Sequence, residues 1–93
     1  MLEFEWDENK NAINIQKHGI SFQLAKKVFD DPYYIELYDD IHSDDEDRYA
    51  VIGYVNDVLY VIYTERKDKI RLISARLANS LERKYYYGNS ECK

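Results

Sequence analysis

From Arg48 to Arg76 the chain reads as almost unbroken strand, "RYAVIGYVNDVLYVIYTERKDKIRLISAR", interrupted at Asn56-Asp57 and at Lys67-Asp68. β-branched and aromatic residues dominate the three runs, and polar turn formers occupy both breaks. Two residues cannot carry a chain back to a parallel neighbour, which takes about a dozen. Arg48–Val55, Val58–Glu65 and Lys69–Arg76 must therefore lie side by side as antiparallel strands. "YYIELY", Tyr33 to Tyr38, carries the same signal and is expected as the fourth strand of the meander.

Helical signals precede the meander. Phe4 to Trp6 forms a short apolar stretch, then Asp7 can cap a helix that runs to about His18 and closes at Gly19, with Glu8 favourably placed in its first turn. Spacing predicts Ala12, Ile15 and Gly19, with Ile13 beside them, as its buried face. Lys10, Asn14 and His18, with Lys17 adjoining, form the polar face. Ser21 begins a second helix with Phe22, Ala25, Val28 and Phe29 at core spacing, ended by the "DDP" at Asp30 to Pro32. Asn79 and Glu82 stand at capping-box spacing before a short last helix that runs into "KYYYG", where two of the three tyrosines are expected to pack. The expected order is β-α-α-β-β-β-β-α, an α+β fold built on a four-stranded antiparallel meander.

Ninety-three residues suffice for a single domain, residues 1–93, with one modest core. No stretch reaches the roughly 18 apolar residues that cross a bilayer, and "MLEFEWDENK" lacks the features of a secretion signal, so a cytoplasmic protein without membrane contact is expected. Cys92 is the single cysteine and the two histidines stand 24 positions apart, so no metal site or cofactor motif is expected. A net charge of −5 argues against a general polyanion binder. That charge is zoned, however. Asp30 to Asp47 holds nine carboxylates and no Lys or Arg, whereas Val61 to Tyr86 holds seven cations against three carboxylates.

Two clusters could carry chemistry. The first is the Arg-rich hairpin with Arg66, Arg71 and Arg76, whose forked guanidinium donors suit phosphate oxygens. If Lys67 and Asp68 form the turn, Arg66 lies opposite Lys69 and Thr64 opposite Arg71, and regular alternation sends Ser74 and Arg76 to the other face. Bringing Arg76 and Arg66 to one site requires a bulge near Ser74 or a strongly twisted strand end. The bland reading is a charged strand edge guarded against aggregation. The second cluster is "DDIHSDDEDR", with His42, Glu46 and Arg48: proton acceptor, proton donor and charge stabiliser for phosphodiester cleavage, or simply a solvated acidic loop. Lys17 and His18 on the first helix could hold a phosphate backbone, or form its wet side.

Taken in order, "FEWDENKNAINIQKHGISF", "VFDDP", "HSDDEDR", "YVIYTER" and "IRLISAR" resemble the BrnT family of toxins from bacterial type II toxin–antitoxin modules, over roughly Phe4 to Tyr86. The resemblance implies a small RelE-like ribonuclease fold that degrades RNA and arrests growth. It also implies neutralisation by a BrnA-like antitoxin with a DNA-binding domain, through which alone operator DNA is reached. The family's Lys-His-Gly segment falls on Lys17, His18 and Gly19, its His-Ser-x-x-Glu-x-Arg segment on His42, Ser43, Glu46 and Arg48, its Thr-x-Arg on Thr64 and Arg66, and its Ser-Ala-Arg on Ser74, Ala75 and Arg76. Lys67 departs from the pattern, standing where relatives carry a turn glycine, and the short tail after the last helix would shorten a partner-binding surface.

Chemistry then assigns the roles. A metal-independent endoribonuclease can use the RNA 2′-hydroxyl as its nucleophile, with Glu46 or His42 as the proton acceptor. Arg66 and Arg76 would stabilise the phosphorane, while Lys17, His18, Arg48, Arg71 and Ser74 hold the RNA. The alternatives are a non-catalytic module whose basic surface docks RNA or an acidic partner, and a basic face devoted chiefly to the antitoxin.

Overall fold

Lys67 and Asp68 reverse the chain in two residues, both at positive φ (48° and 71°), the left-handed pair that a type I′ hairpin turn requires. Asn56, also left-handed at φ 62°, makes the earlier reversal, so the following strand begins at Asp57. The computed structural model describes residues 2–40 and 46–91, with side chains described as far as 88.

The elements are β1 (Glu3–Glu5), α1 (Glu8–His18), α2 (Phe22–Ala25), a 3-10 segment (Lys26–Asp30), β2 (Ile35–Tyr38), β3 (Arg48–Val55), β4 (Asp57–Arg66), β5 (Lys69–Leu77) and α3 (Ser80–Glu91). This is the expected α+β order. The caps form as read: Asp7 accepts from the N–H groups of Asn9 and Lys10, Ser21 from that of Leu24, and Gly19 closes α1 at φ 70°. The second helix, expected to run unbroken to Asp30, tightens to 3-10 geometry after four residues.

The meander β2-β3-β4-β5 is antiparallel throughout. It has the four strands expected, and the sheet gains a fifth because β1 joins the outer edge of β5 in parallel, making a mixed sheet in the order β1-β5-β4-β3-β2. Three residues are too few to show a period, but the long return path through the helices and the meander permits the parallel pairing.

The main core lies between one sheet face and the helices. Phe22, Ala25 and Val28 meet Val51, Val61, Tyr63, Leu72 and Ala75 there, with Phe29 in edge contact with Tyr63. A smaller cluster on the opposite face joins Ile35, Ile52 and Val58 to Ala78 and Tyr86. Of the three consecutive tyrosines only Tyr86 is buried, its hydroxyl donating to Asp31, while Tyr85 and Tyr87 remain exposed.

The buried face of α1 differs from the sequence expectation, while Lys10, Lys17 and His18 stay exposed as expected. Ile13 and Ile15 are 54% and 45% exposed, whereas Asn11 and Asn14 are buried. Asn11 accepts from the Phe22 N–H at 2.8 Å and donates to Gln23, which ties α1 to the start of α2. Hydrophobic periodicity misses this face because two satisfied amides, rather than aliphatic chains, make the contact.

Candidate active site

The β4–β5 hairpin begins in the expected register, Arg66 opposite Lys69 and Thr64 opposite Arg71. Tyr63 then pairs with Leu72 but Ile62 pairs with Ser74, leaving Ile73 as the extra residue of a β-bulge. Its effect is to change the facing of everything that follows. Ala75 joins Ile70 and Leu72 in the helix-side core, and Ser74 and Arg76 turn to the open face that already carries Arg66 and Arg71.

Asn14 holds the bulge from the side. Its amide donates to the carbonyls of Ala75 (2.8 Å) and Ile20 (2.9 Å), and its oxygen accepts from the Ala75 N–H (3.1 Å). β1 pairs only as far as Arg71, so Asn14 satisfies backbone groups on a strand edge that would otherwise be buried without partners.

Two depressions meet at the bulge. One is a cleft of about 390 Å³ with Tyr60, Ile62 and Ile73 along its apolar part and Asp39, Arg48, Ser74 and Arg76 along its polar part. The other, about 190 Å³, is lined by Lys10, Ile13, Asn14, Lys17 and His18 of α1 and again by Ile73 and Ser74. The shared pair makes one continuous surface, with α1 cations on one side and strand arginines on the other.

Arg76 is held firmly within it. Its guanidinium makes paired hydrogen bonds to Glu82 (2.8 and 2.9 Å), a further bond to the Leu77 carbonyl (3.2 Å), and lies 4.2 Å from the centre of the Tyr60 ring. The Glu82 hydrogen bonds push the Arg76 pKa further up, and Arg76 in turn holds the Glu82 carboxyl below the usual carboxylate range. Burial, then the charges of Glu82 and Asp39, push the Tyr60 phenol up, so it stays protonated. Glu82 also completes the capping box of α3, accepting from the Asn79 N–H (2.9 Å) and donating its own N–H to Asn79 (2.8 Å).

The other sequence candidates are distributed as follows. Arg66 shares the open face, but its rung lies six positions along β4 from that of Arg76, about 20 Å of strand. It lines a separate depression at the hairpin end with Glu5, Lys67 and Lys69. Arg71 pairs with Glu5 at 3.2 Å. Glu46 is half-buried just ahead of β3, where the Thr64 hydroxyl donates to the Asp47 carbonyl and pins the loop end to β4. His42 lies outside the described residues. Sequence reasoning missed Tyr60 and Glu82 as site components; Glu82 was read as a cap, and its second partner stands on a different element.

A family model described as "Ribonuclease toxin, BrnT, of type II toxin-antitoxin system" matches residues 6–82. No curated protein matches the chain. Among solved structures, the chain is similar to the ribonuclease toxin BrnT of Brucella abortus, with a TM-score of 0.65 and 27% identity over 86% of this chain and 100% of that one. With its α+β fold and a basic surface around the β5 bulge, the chain belongs to the family of BrnT ribonuclease toxins of type II toxin–antitoxin systems.

Proposed function

We propose that the chain cuts RNA by attack of a ribose 2′-hydroxyl on the adjacent phosphate, without a metal ion. The substrate supplies the nucleophile. The 2′-oxygen forms its bond to phosphorus as the bond to the 5′-oxygen breaks, leaving a 2′,3′-cyclic phosphate and a 5′-hydroxyl. One proton leaves the 2′-hydroxyl and another reaches the departing oxygen.

The observation that carries this reading is the sharing of Ile73 and Ser74 by the two depressions. A phosphate seated over Ser74 would meet Lys17 and His18 from one side and Arg48 and Arg76 from the other. Donors fixed before the substrate arrives stabilise developing phosphorane charge without reorganisation, and Arg76 is fixed by Glu82. His18 or Glu46 would move the protons, with His42 as a further candidate. Arg66, with Lys67 and Lys69 beside it, would hold a phosphate farther along the strand, as would Arg71.

A BrnA-like antitoxin with a DNA-binding domain is the partner we propose for this surface in the cytoplasm, with operator DNA reached through it. Incubation of the purified protein with end-labelled RNA in EDTA is the test. Fragments ending in cyclic phosphate are expected, and 2′-deoxy substitution at the cut ribose should abolish them. Undiminished cutting of the deoxy substrate would refute 2′-hydroxyl attack, and a band shift without fragments would identify a docking module instead.

A further inference from the structure

The cleft beside Arg76 is poorly suited to a phosphate alone. Tyr60, Ile62 and Ile73 give it apolar walls, and Asp39 sets a carboxylate among the lining beside Arg48 and Arg76. An anion is better served across Ser74, where Lys10, Lys17 and His18 gather. Apolar walls with a polar edge match an unpaired nucleobase, which has two π faces and a perimeter of donors and acceptors. The volume, about 390 Å³, sits at the small end of ligand sites.

Arg76 has the features of a stacking surface. Three of the five donors that a guanidinium carries are taken by Glu82 and the Leu77 carbonyl. The guanidinium's central carbon lies over the Tyr60 ring, 4.2 Å from the ring centre. The plane is thereby fixed, and an arginine so held can present its face to a base while its remaining donors serve a phosphate. These are different groups of one side chain, so the two uses do not compete.

We propose that this cleft binds the unpaired base of a nucleotide flanking the scissile phosphate, stacked on the tier formed by Tyr60 and Arg76. The inference rests on the RNA-cutting reading of the neighbouring depression. Tyr60 becomes a specificity-determining residue and Glu82 the group that keeps the tier flat.

The test uses 2′-O-methyl RNA heptamers, which cannot be cut by 2′-hydroxyl attack, in a set presenting each base at each position. Each heptamer is scanned with one abasic residue. For the wild-type protein one position should weaken binding on the order of tenfold when its base is removed. Tyr60→Phe should keep that sensitivity. Tyr60→Leu should weaken the intact heptamer by a similar factor and lose the sensitivity, and Arg76→Lys, which keeps the charge without the plane, should do the same if Tyr60→Leu fails to fold. A flat scan, no binding at all, or an abasic effect undiminished in Tyr60→Leu overturns the base site. Unmodified RNA cut in parallel separates the two ideas. Cutting with a flat scan sinks the base site alone, whereas a position-dependent scan without cutting sinks the cleavage reading and leaves the base site standing.

Discussion

Asn14 and Ala75 are joined by two hydrogen bonds, the amide donating to the carbonyl at 2.8 Å and accepting from the N–H at 3.1 Å, 61 residues apart in sequence. One side chain thus does what a neighbouring strand would do. Asn14→Ala should cost about 2–4 kcal/mol, because it leaves buried backbone groups unsatisfied as well as removing bonds. Urea unfolding measures it. A loss below about 0.5 kcal/mol, the level of an ordinary surface change, would show that water replaces the amide.

Arg76→Ala should lower the rate of RNA cutting on the order of 100-fold, and Arg66→Ala by clearly less, because Arg66 sits on a rung six residues of β4 away. Single-turnover rates on one substrate give the comparison. Equal losses for the two variants would contradict a scissile phosphate at Ser74.

Acid should weaken the Arg76–Glu82 joint in a definite direction. The Glu82 carboxyl is held below its ordinary value of 4.5 in the folded protein, so the unfolded chain takes up the proton first. The contribution is present above about pH 4.5 and fades as the pH falls through the lower folded value. Glu82→Gln should flatten the fall in melting temperature over that range relative to wild type, whereas Asn79→Ala, which disturbs the cap but leaves the ion pair, should not. Parallel slopes for all three proteins would dismiss the linkage.

Lys67 and Asp68 both hold left-handed backbone without glycine. Asp68→Gly should relieve about 1 kcal/mol, raising the melting temperature by roughly 4–8 °C in a domain of this size. Calorimetry reads it directly, and an unchanged melting temperature would mean that the turn carries no strain.

Local rules made much of the fold legible. Asp7, Ser21, Gly19 and the Asn79–Glu82 box act within a few residues of themselves, and the short reversals at Asn56 and Lys67 leave the meander no other topology. Alternation showed that one site for Arg66 and Arg76 would need a bulge near Ser74 or a twisted strand end; the bulge between Leu72 and Ser74 gives them a common face but leaves them in separate depressions. What holds the bulge there could not be read. Asn14 fell in a polar stripe, and nothing in apolar spacing marks an amide that will be buried against a strand edge. The parallel place of β1 was hidden for want of length. Glu82 was visible only as a cap, because its pairing with Arg76 joins a strand to the helix after it, beyond any fixed repeat.

Ile73 gives β5 something like a reading frame. Laid flat at its present length, with Ile73 opposite Ile62, the strand would send Ala75 toward solvent and drive Ser74 and Arg76 at the helix-side core, whereas deleting Ile73 would restore a regular ladder and keep every later facing. The reactive surface therefore depends on where the extra residue is absorbed as much as on a set of side chains. Point substitutions at its arginines would grade its activity, whereas flattening the bulge without removing a residue would turn the strand end inside out.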